Sequence, residues 1–426
     1  MTRRQLSQHQ RQQLRQKIIL FSGISIIVAV VLLITAGWVF GEYLPNNKTI
    51  VTVYDTKIKA GDLVDTMEYY AAMYASYGQT LDLNQQTDYI LSSMVQNELL
   101  RRAAGQLGIS VSEEEIDKQL GESAGSARKA IREMARASLL VQKLKDEHFG
   151  PQVGDTGPQV KINAMLVESA NLIPEIRARL MSGDNITVLA EEFALNTASK
   201  TAKGAFDWHP RDVLKDDIGS SIPVDWAFSD DVTAGQISDG LTDNVSSKQL
   251  GYWLLRLNEK PVTAEDDSTA NVSAVFLSSK AQAEEVRELL EDSGNLAAIA
   301  EQYSQYSLSK QGKGELGIVA ASSNISGPFN DYVFGEDTPV GVWSEPIKDT
   351  QFWTTGGVWF VQVVDKSSDR EYAVLDKDEL VDKAYSEWSG GLMADTDAYI
   401  KYDFSDAQRT WAIERANKKI ADLMGG

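Results

Sequence analysis

One stretch occurs twice in this chain, and the duplication constrains the fold more than any other feature. In each copy a short apolar strand is followed by an amphipathic helix, a Lys-Gly turn, an aromatic segment and a final apolar strand. Matching landmarks lie 110 residues apart at Ala164 and Ala274, and 106 residues apart at Trp253 and Trp359. Ordered landmarks at a nearly constant offset indicate a duplicated domain rather than a short solenoid repeat.

The net charge of −20 is distributed unevenly over the 426 residues. Residues 1–17 carry five basic side chains and no acid, so the rest of the chain has a net charge of −25. An acidic body of this kind repels nucleic acid, and we expect no nucleic-acid partner. The sequence has no cysteine, which excludes disulfides, thiolate metal sites and a cysteine nucleophile. Three scattered histidines give no metal-site pattern, so we expect no metal and no cofactor.

An uncharged apolar run of 23 residues, Ile18 to Phe40, follows the basic tail. As a helix it would be ~35 Å long, which is enough to cross the hydrocarbon core of a bilayer. The alternative is a cleaved signal peptide, but such a segment is usually shorter and ends in small residues, whereas this one ends in Gly37–Phe40. We predict a single-pass anchor at 18–40 in the cell membrane, with the tail 1–17 cytoplasmic and residues 41–426 outside the cytoplasm.

Residues 41–150 have the pattern of a short strand followed by helices. Ile50–Tyr54 reads as the strand, and Leu63–Tyr77 and Asp88–Ala104 read as the first two helices. A third helix opens with a capping box at Ser112 and Glu115. The order of these parts, together with the run Leu107-Gly-Ile-Ser-Val-Ser-Glu-Glu-Glu-Ile116, resembles the N-terminal chaperone region of SurA-type and PrsA-type foldases.

A linker rich in proline and glycine, residues 150–158, leads into the two repeats. The second repeat, residues 269–368, resembles a parvulin domain through its Ala-Glu-Gln-Tyr-Ser segment, its Gly-Lys-Gly-Glu-Leu-Gly segment and the Phe-x-x-x-x-Phe helix at Phe329. The first repeat, residues 158–262, keeps the same outline in a degenerate form. The resemblance implies an α+β chain with two tandem parvulin-like α/β domains, each with a small antiparallel sheet, that follow the anchor and the helical region.

Parvulins are prolyl isomerases, and the resemblance implies where their polar cluster would lie. Twisting an X–Pro amide requires an apolar slot and polar groups that favour the twisted carbonyl. The family has a His on the first strand, a Cys or Asp in the middle and a His on the last strand. These positions hold other side chains in both repeats: Ala274, Tyr306 and Trp359 in the second, and Ala164, Thr197 and Trp253 in the first. We therefore assign no catalytic residue from the sequence.

The large apolar side chains around these positions predict a peptide-binding groove. Its candidate residues lie mainly in the second repeat: Tyr306, Ile325, Phe329, Phe334 and Trp359, with Phe228 and Trp253 in the first. A tryptophan in place of the last histidine keeps a broad amphipathic surface for peptide. Two alternatives stay open, namely that both tryptophans fill the core, or that the second repeat retains isomerase activity through other residues.

The C-terminal segment, residues 369–426, reads as two further helices. The resemblance implies that it packs back on the helical region 41–150, with Trp388 and Tyr402 near the tyrosines at 69–77. The whole pattern predicts an anchored extracytoplasmic foldase or chaperone that binds unfolded secreted or surface polypeptides and has little or no isomerase catalysis. The alternatives are an active prolyl isomerase that uses the second repeat and a scaffold protein without client activity.

Overall fold

The computed structural model of the chain describes residues 25–126, 128–263, 267–394 and 399–424. The chain divides into two compact units. The first unit comprises Met1–Val153 and Val381–Gly426, and the second comprises Gly154–Leu380. The basic tail 1–17 and the predicted anchor residues 18–24 lie outside the described residues.

The described residues form helices and antiparallel strands. The strands are β1 (Thr49–Val53), β2 (Thr56–Lys59), β3 (Thr156–Val167), β4 (Ala205–Pro210), β5 (Leu241–Lys248), β6 (Gly251–Leu257), β7 (Thr269–Leu277), β8 (Glu315–Ala320), β9 (Ile347–Asp349), β10 (Thr354–Glu371) and β11 (Ile400–Tyr402). The helices are α1 (Ser25–Asn47), α2 (Ala60–Ser76), α3 (Leu83–Gln106), α4 (Glu113–Leu120), α5 (Lys129–Lys143), α6 (Ile173–Met181), α7 (Ile186–Phe193), α8 (Thr197–Thr201), α9 (Arg211–Ile218), α10 (Ser221–Phe228), α11 (Lys280–Ser293), α12 (Leu296–Tyr303), α13 (Ser307–Gln311), α14 (Gly327–Val333), α15 (Val374–Ala394) and α16 (Asp406–Met424). The predicted α+β class with small antiparallel sheets is confirmed.

The first unit combines a three-stranded sheet, in the order β11-β1-β2, with long helices. Its main core buries Ile50 and Val53 of β1 together with Leu63 and Met67 of α2. The predicted capping box opens α4, because the Ser112 N–H donates to a Glu115 carboxylate oxygen at 2.8 Å while the Ser112 hydroxyl accepts from the Glu115 N–H at 3.3 Å. These two bonds satisfy donors that the first turn of a helix leaves without partners.

The C-terminal segment returns to the N-terminal helices within the first unit. Helix α16 packs along α2, and its Ala412 and Ala416 are fully buried in the same core. Strand β11 extends the sheet by pairing Tyr402 with Val51. Trp388 of α15 packs on Phe149, with ring centroids 5.6 Å apart, so it lies in a different cluster from the one implied by the resemblance.

The second unit contains two four-stranded antiparallel sheets. The first sheet has the order β4-β3-β10-β5, and the second sheet has the order β8-β7-β6-β9. Equivalent turns precede β4 and β8. In both turns the lysine and the glycine adopt positive φ, at 51° and 73° for Lys203-Gly204 and at 52° and 87° for Lys313-Gly314. Each glycine carbonyl accepts from an alanine N–H on the central strand of its own repeat. The local structure therefore repeats as the sequence does.

The final strands of the two repeats are exchanged between the sheets. Strand β6, at the end of the first repeat, pairs with β7 of the second, and β10, at the end of the second repeat, pairs with β3 of the first. Two tandem domains, each with its own sheet, imply that each final strand closes the sheet of its own repeat, and the observed pairing corrects this implication. Gln249 and Leu250 alone separate β5 from β6, and the chain crosses there from the first sheet to the second.

Candidate functional site

An aromatic cluster fills the second sheet at the place where a peptide groove was predicted. Trp253 of β6 is fully buried and lies at its centre. Its ring centroid is 4.3 Å from that of Phe276, 5.1 Å from Tyr306 and 5.2 Å from Phe329. The contacts with Tyr306 and Phe329 are edge-to-face, a geometry that adds to the free energy of burial. The exchanged strand therefore supplies the central ring of the cluster.

A buried carboxylate holds the Trp253 indole in place. The indole N–H donates to Asp349 Oδ2 at 2.8 Å, and Asp349 is itself fully buried on β9. The Ser326 hydroxyl donates to the same oxygen, and the Gln351 N–H donates to Asp349 Oδ1 at 2.7 Å. Because charge-assisted hydrogen bonds are roughly twice as strong as neutral ones, this arrangement fixes the orientation of the ring.

The first sheet contains an equivalent arrangement around Trp359 of β10. The fully buried Trp359 indole donates to Asp243 Oδ2 at 2.8 Å, and the Ser220 hydroxyl donates to the same oxygen at 2.9 Å. Val245 and Ser246 donate three further hydrogen bonds to this carboxylate. Burial raises the pKa of Asp243, but the hydrogen bonds from Ser246, Trp359 and Val245 outweigh it and hold the pKa below its usual value.

The strand exchange changes which of the parvulin cluster positions come together. Ala274 pairs with Leu255 of β6 and so shares its sheet with Trp253 rather than with Trp359, and Tyr306 also packs on Trp253. Ala164 pairs with Val361 of β10 and therefore shares its sheet with Trp359 rather than with Trp253. The middle position of the first repeat, Thr197, is exposed at the start of α8.

The predicted groove residues differ widely in their exposure to solvent. Trp253, Phe329 and Trp359 are fully buried. The other four candidates are half-buried: Tyr306, Ile325, Phe334 and Phe228. Burial raises the pKa of the Tyr306 hydroxyl. Phe228 lines an open cavity of about 560 Å³, where the Arg211 guanidinium lies 4.9 Å from its ring centroid. The groove prediction itself stays a prediction.

Sequence profiles of two protein families match this chain. The SurA-like N-terminal domain matches residues 12–136, and the PPIC-type PPIase (rotamase) domain matches residues 254–355. The rotamase match begins on β6 and ends at the start of β10, so it covers all four strands of the second sheet at least in part. The chain therefore contains a SurA-like N-terminal domain and a PPIC-type rotamase domain, and its relatives include a PrsA foldase and a parvulin-like PPIase.

Individual relatives are distant in sequence. The foldase protein PrsA of Caldanaerobacter subterraneus subsp. tengcongensis is 22% identical over 204 residues, which span 45% of this chain and 63%, just under two thirds, of that protein. A parvulin-like PPIase of Rickettsia conorii is 23% identical over 244 residues, spanning 55% of this chain and 83% of the relative. The crystal structure of the peptidylprolyl isomerase PrsA of Bacillus anthracis aligns at 10% identity with a TM-score of 0.27, over 78% of this chain and 96% of that one.

The first unit contains the SurA-like match and is called the SurA-like unit from here on. It has a cavity of about 480 Å³ that the sequence did not reveal. Ile58, Met94, Met134 and Leu140 form its apolar part. Acidic and basic side chains surround them, and several of these pair with one another, as in the salt bridge between Lys129 and Asp62 at 2.6 Å. The sequence signal was weak, because Met134 lies on a helix of mixed charge that reads as a solvated element.

Proposed function

We propose that the chain is a membrane-anchored extracytoplasmic foldase that binds unfolded secreted or surface polypeptides with little or no isomerase catalysis. The observation that carries the proposal is the pair of buried tryptophans, Trp253 and Trp359, each held by an aspartate at the last-strand position of a rotamase sheet. An isomerase needs an open slot with polar groups aimed at the twisted carbonyl. At both positions an indole stands where the last imidazole would be, and its N–H is already bonded to a carboxylate.

Client binding is supported by the cavity of the SurA-like unit. Met94 and Met134 provide flexible apolar surface, which accommodates side chains of different shape. The charged rim combines acids and bases, and the chain as a whole has a net charge of −20. We expect clients with exposed apolar and basic segments to associate fastest, since the acidic surface attracts them over a distance.

Anchoring is supported by helix α1, which among the described residues is long and apolar enough to cross a membrane. Its apolar side chains are exposed, including Leu33, Ile34 and Phe40. Its C-terminal end is fixed to the SurA-like unit, because the Trp411 indole donates to the Gly41 carbonyl at 3.0 Å and Arg415 pairs with Glu42 at 2.9 Å. Alkaline extraction of membranes tests this part. Release of the full chain into the soluble fraction would contradict it.

Catalysis is tested with a proline-containing tetrapeptide and the full chain in detergent micelles. We expect the cis–trans rate to stay within error of the uncatalysed rate, while a parvulin that retains both histidines accelerates it under the same conditions. Turnover that scales with the concentration of this chain would contradict the proposal and favour an active isomerase.

Client binding is tested by the suppression of aggregation of a chemically unfolded protein. The full chain should suppress light scattering, and Met134→Glu should weaken the effect because it places a charge in the apolar part of the cavity. Met181→Glu is the matched control, since Met181 is exposed and lies in the other unit. Equal activity of both variants would exclude the cavity as the client site, and no suppression by the unmodified chain would favour a scaffold.

A further inference from the structure

The second unit, Gly154–Leu380, contains the rotamase match. Besides the cavity beside Phe228 it has another open groove, whose lining differs in kind from those of the cavities described above. It has a volume of about 560 Å³ and lies between α12, α13 and the start of β10. Its lining consists of three glutamines, three serines and two threonines, together with Tyr303, Lys310 and Trp353. Among the residues that the structure describes, no aliphatic side chain and no carboxylate lines it, although the chain has 61 acidic residues.

Trp353 is the most exposed aromatic side chain in the lining of this groove. The residue is 58% exposed, although a side chain of this size is usually mostly buried. It lies in the segment that carries the chain from β9 of the second sheet to β10 of the first. The flat faces of an indole bind the apolar faces of a ligand, while hydroxyl and amide groups nearby bind its polar edges.

The wall beside Trp353 is held rigidly. The Gln305 side-chain amide donates to the Thr355 carbonyl at 2.9 Å, and the Thr355 N–H donates back to Gln305 Oε1 at 2.7 Å. The Gln305 N–H is bonded in turn to the Phe276 carbonyl of β7. Because these contacts already order the groove, a ligand would not bear the entropic cost of ordering it.

Polar groups of α12 and α13 in the lining of the groove remain available to a ligand. The Gln302 amide, the Ser307 hydroxyl and the Lys310 ammonium are exposed and have no side-chain hydrogen bond to another described residue. They offer donors and acceptors in a neutral to weakly basic setting. A peptide-binding groove would need apolar pockets for side chains, and this one has none.

We propose that this groove binds a neutral oligosaccharide, with one sugar ring stacked on Trp353 and its hydroxyls hydrogen-bonded to Gln302, Ser307 and Lys310. A sugar ring has one apolar face and a rim of hydroxyls, which is the combination that the lining matches. None of the residues on which the proposed foldase function rests lines this groove, so the two proposals stand or fall separately.

The test uses the full chain in micelles of a detergent without a sugar headgroup. The probes are the tetrasaccharide of N-acetylglucosamine and maltotetraose, measured by saturation-transfer NMR and by titration calorimetry. We expect at least one probe to bind, and Trp353→Ala to weaken its binding by about tenfold or more, since each 1.4 kcal/mol of lost stacking is a factor of ten. Gln302→Ala should weaken it less.

Leu308→Ala is the matched control, because Leu308 is exposed beside the groove without lining it. It should leave the affinity unchanged. The proposal is overturned if neither sugar binds, if Trp353→Ala and Leu308→Ala behave alike, or if an extended Gly-Ser-Asn peptide binds in a Trp353-dependent way while the sugars do not. Far-UV circular dichroism of each variant checks that a loss of binding does not come from a loss of fold.

Discussion

The two four-stranded sheets of the second unit have the same buried arrangement of tryptophan, aspartate and serine in different surroundings. In the second sheet, Trp253 lies among aromatic rings and Asp349 accepts two hydrogen bonds besides that of the indole. In the first sheet, Trp359 lies in a mainly aliphatic core and Asp243 accepts four others. In both settings the indole is buried and hydrogen-bonded to an aspartate, so it packs and orients the exchanged strand on which it lies.

The sheets also differ at the point where the chain crosses between them. Lys248, at the end of β5, corresponds by the offset of 106 residues to Thr354, at the start of β10, and the two residues pair across the strands. Lys248 is fully buried and donates to the Gly356 carbonyl, whereas Thr354 donates to the Leu250 carbonyl. One crossing therefore buries a charge and the other does not.

The largest expected effect is the cross-linking of engineered cysteine pairs, which tests the strand exchange. Arg256 and Ser273 are partners across β6 and β7, and Asn163 and Gln362 are partners across β3 and β10. Paired residues of antiparallel strands are close enough for a disulfide, and the chain has no cysteine of its own. We expect R256C/S273C and N163C/Q362C to cross-link almost completely under mild oxidation, as measured by mass spectrometry of tryptic peptides.

The control pairs are those that would be neighbours without the exchange, R256C/N163C and S273C/Q362C. They should stay reduced within one monomer. If these control pairs cross-link and the first two do not, each repeat closes its own sheet and the exchanged topology is wrong.

Substitution of the two tryptophans should affect the free energy of unfolding differently, because their surroundings differ. Trp253→Ala and Trp359→Ala should each lower the free energy of unfolding by about 3–5 kcal/mol, because both open a large cavity. Replacement by Phe keeps most of the volume but removes the N–H donor. Trp253→Phe should cost about 1 kcal/mol more than Trp359→Phe, since Asp349 then keeps fewer donors than Asp243. Urea unfolding measures all four variants, and equal costs for the two Phe variants would contradict the difference.

Local structure was predictable from the sequence, and the long-range pairing was not. The Lys-Gly turns and the capping box at Ser112 follow from neighbouring residues. The strand exchange could not be predicted from the sequence, because both final strands contain Gly-x-Trp followed by an apolar run. Each of the two strands would therefore fit into each of the two sheets. The same limit hid β11, whose three residues gain their partner from β1, about 350 residues earlier in the chain. Side-chain patterns identify a strand but not its neighbour.

The same limit applied to the candidate site. The sequence shows at each position that the imidazole is replaced. It does not show what surrounds Trp253 and Trp359, because that depends on the strand exchange and on their hydrogen bonds to Asp349 and Asp243. These aspartates occupy short polar segments that carry no sign of burial in the sequence. The cavity beside Met134 arises where helices meet, and no single helix indicates it.

Lys248 should give the second unit a pH dependence of stability. Burial lowers the pKa of Lys248 to about 8, and Glu168 opposes the shift in part. Below pH 8 the amine is protonated in both the folded and the unfolded chain, so the full cost of burying the charge applies. Between pH 8 and 10 the folded state loses the proton first. Because the unfolded state then binds more protons, stability should rise with pH, by about 2–3 kcal/mol.

The variant that tests this is Lys248→Met, which should be more stable than the unmodified chain below pH 8 and should lose the rise between pH 8 and 10. Above pH 10 the trend reverses, since burial and Glu168 raise the pKa of Tyr252 and favour its neutral form in the folded state. Lys310→Met is the control, because Lys310 is exposed, and its slope should match that of the unmodified chain. Urea midpoints at four pH values measure the slope, and a rise that persists in Lys248→Met would assign it to another group.

The smallest expected effect comes from the lysines of the two Lys-Gly turns, where the sheets are most alike. Lys203 and Lys313 both have φ near +50°, a conformation that costs a residue with a Cβ about 1 kcal/mol. Lys203→Gly and Lys313→Gly remove this strain, but glycine loses more conformational freedom on folding, which offsets part of the gain. We therefore expect a rise in stability of about 0.5 kcal/mol or less, equal in both repeats. Thermal unfolding of the two variants under the same conditions measures it. A gain in one repeat and a loss in the other would mean that the two turns, which match in backbone geometry, differ in what their lysine side chains contribute.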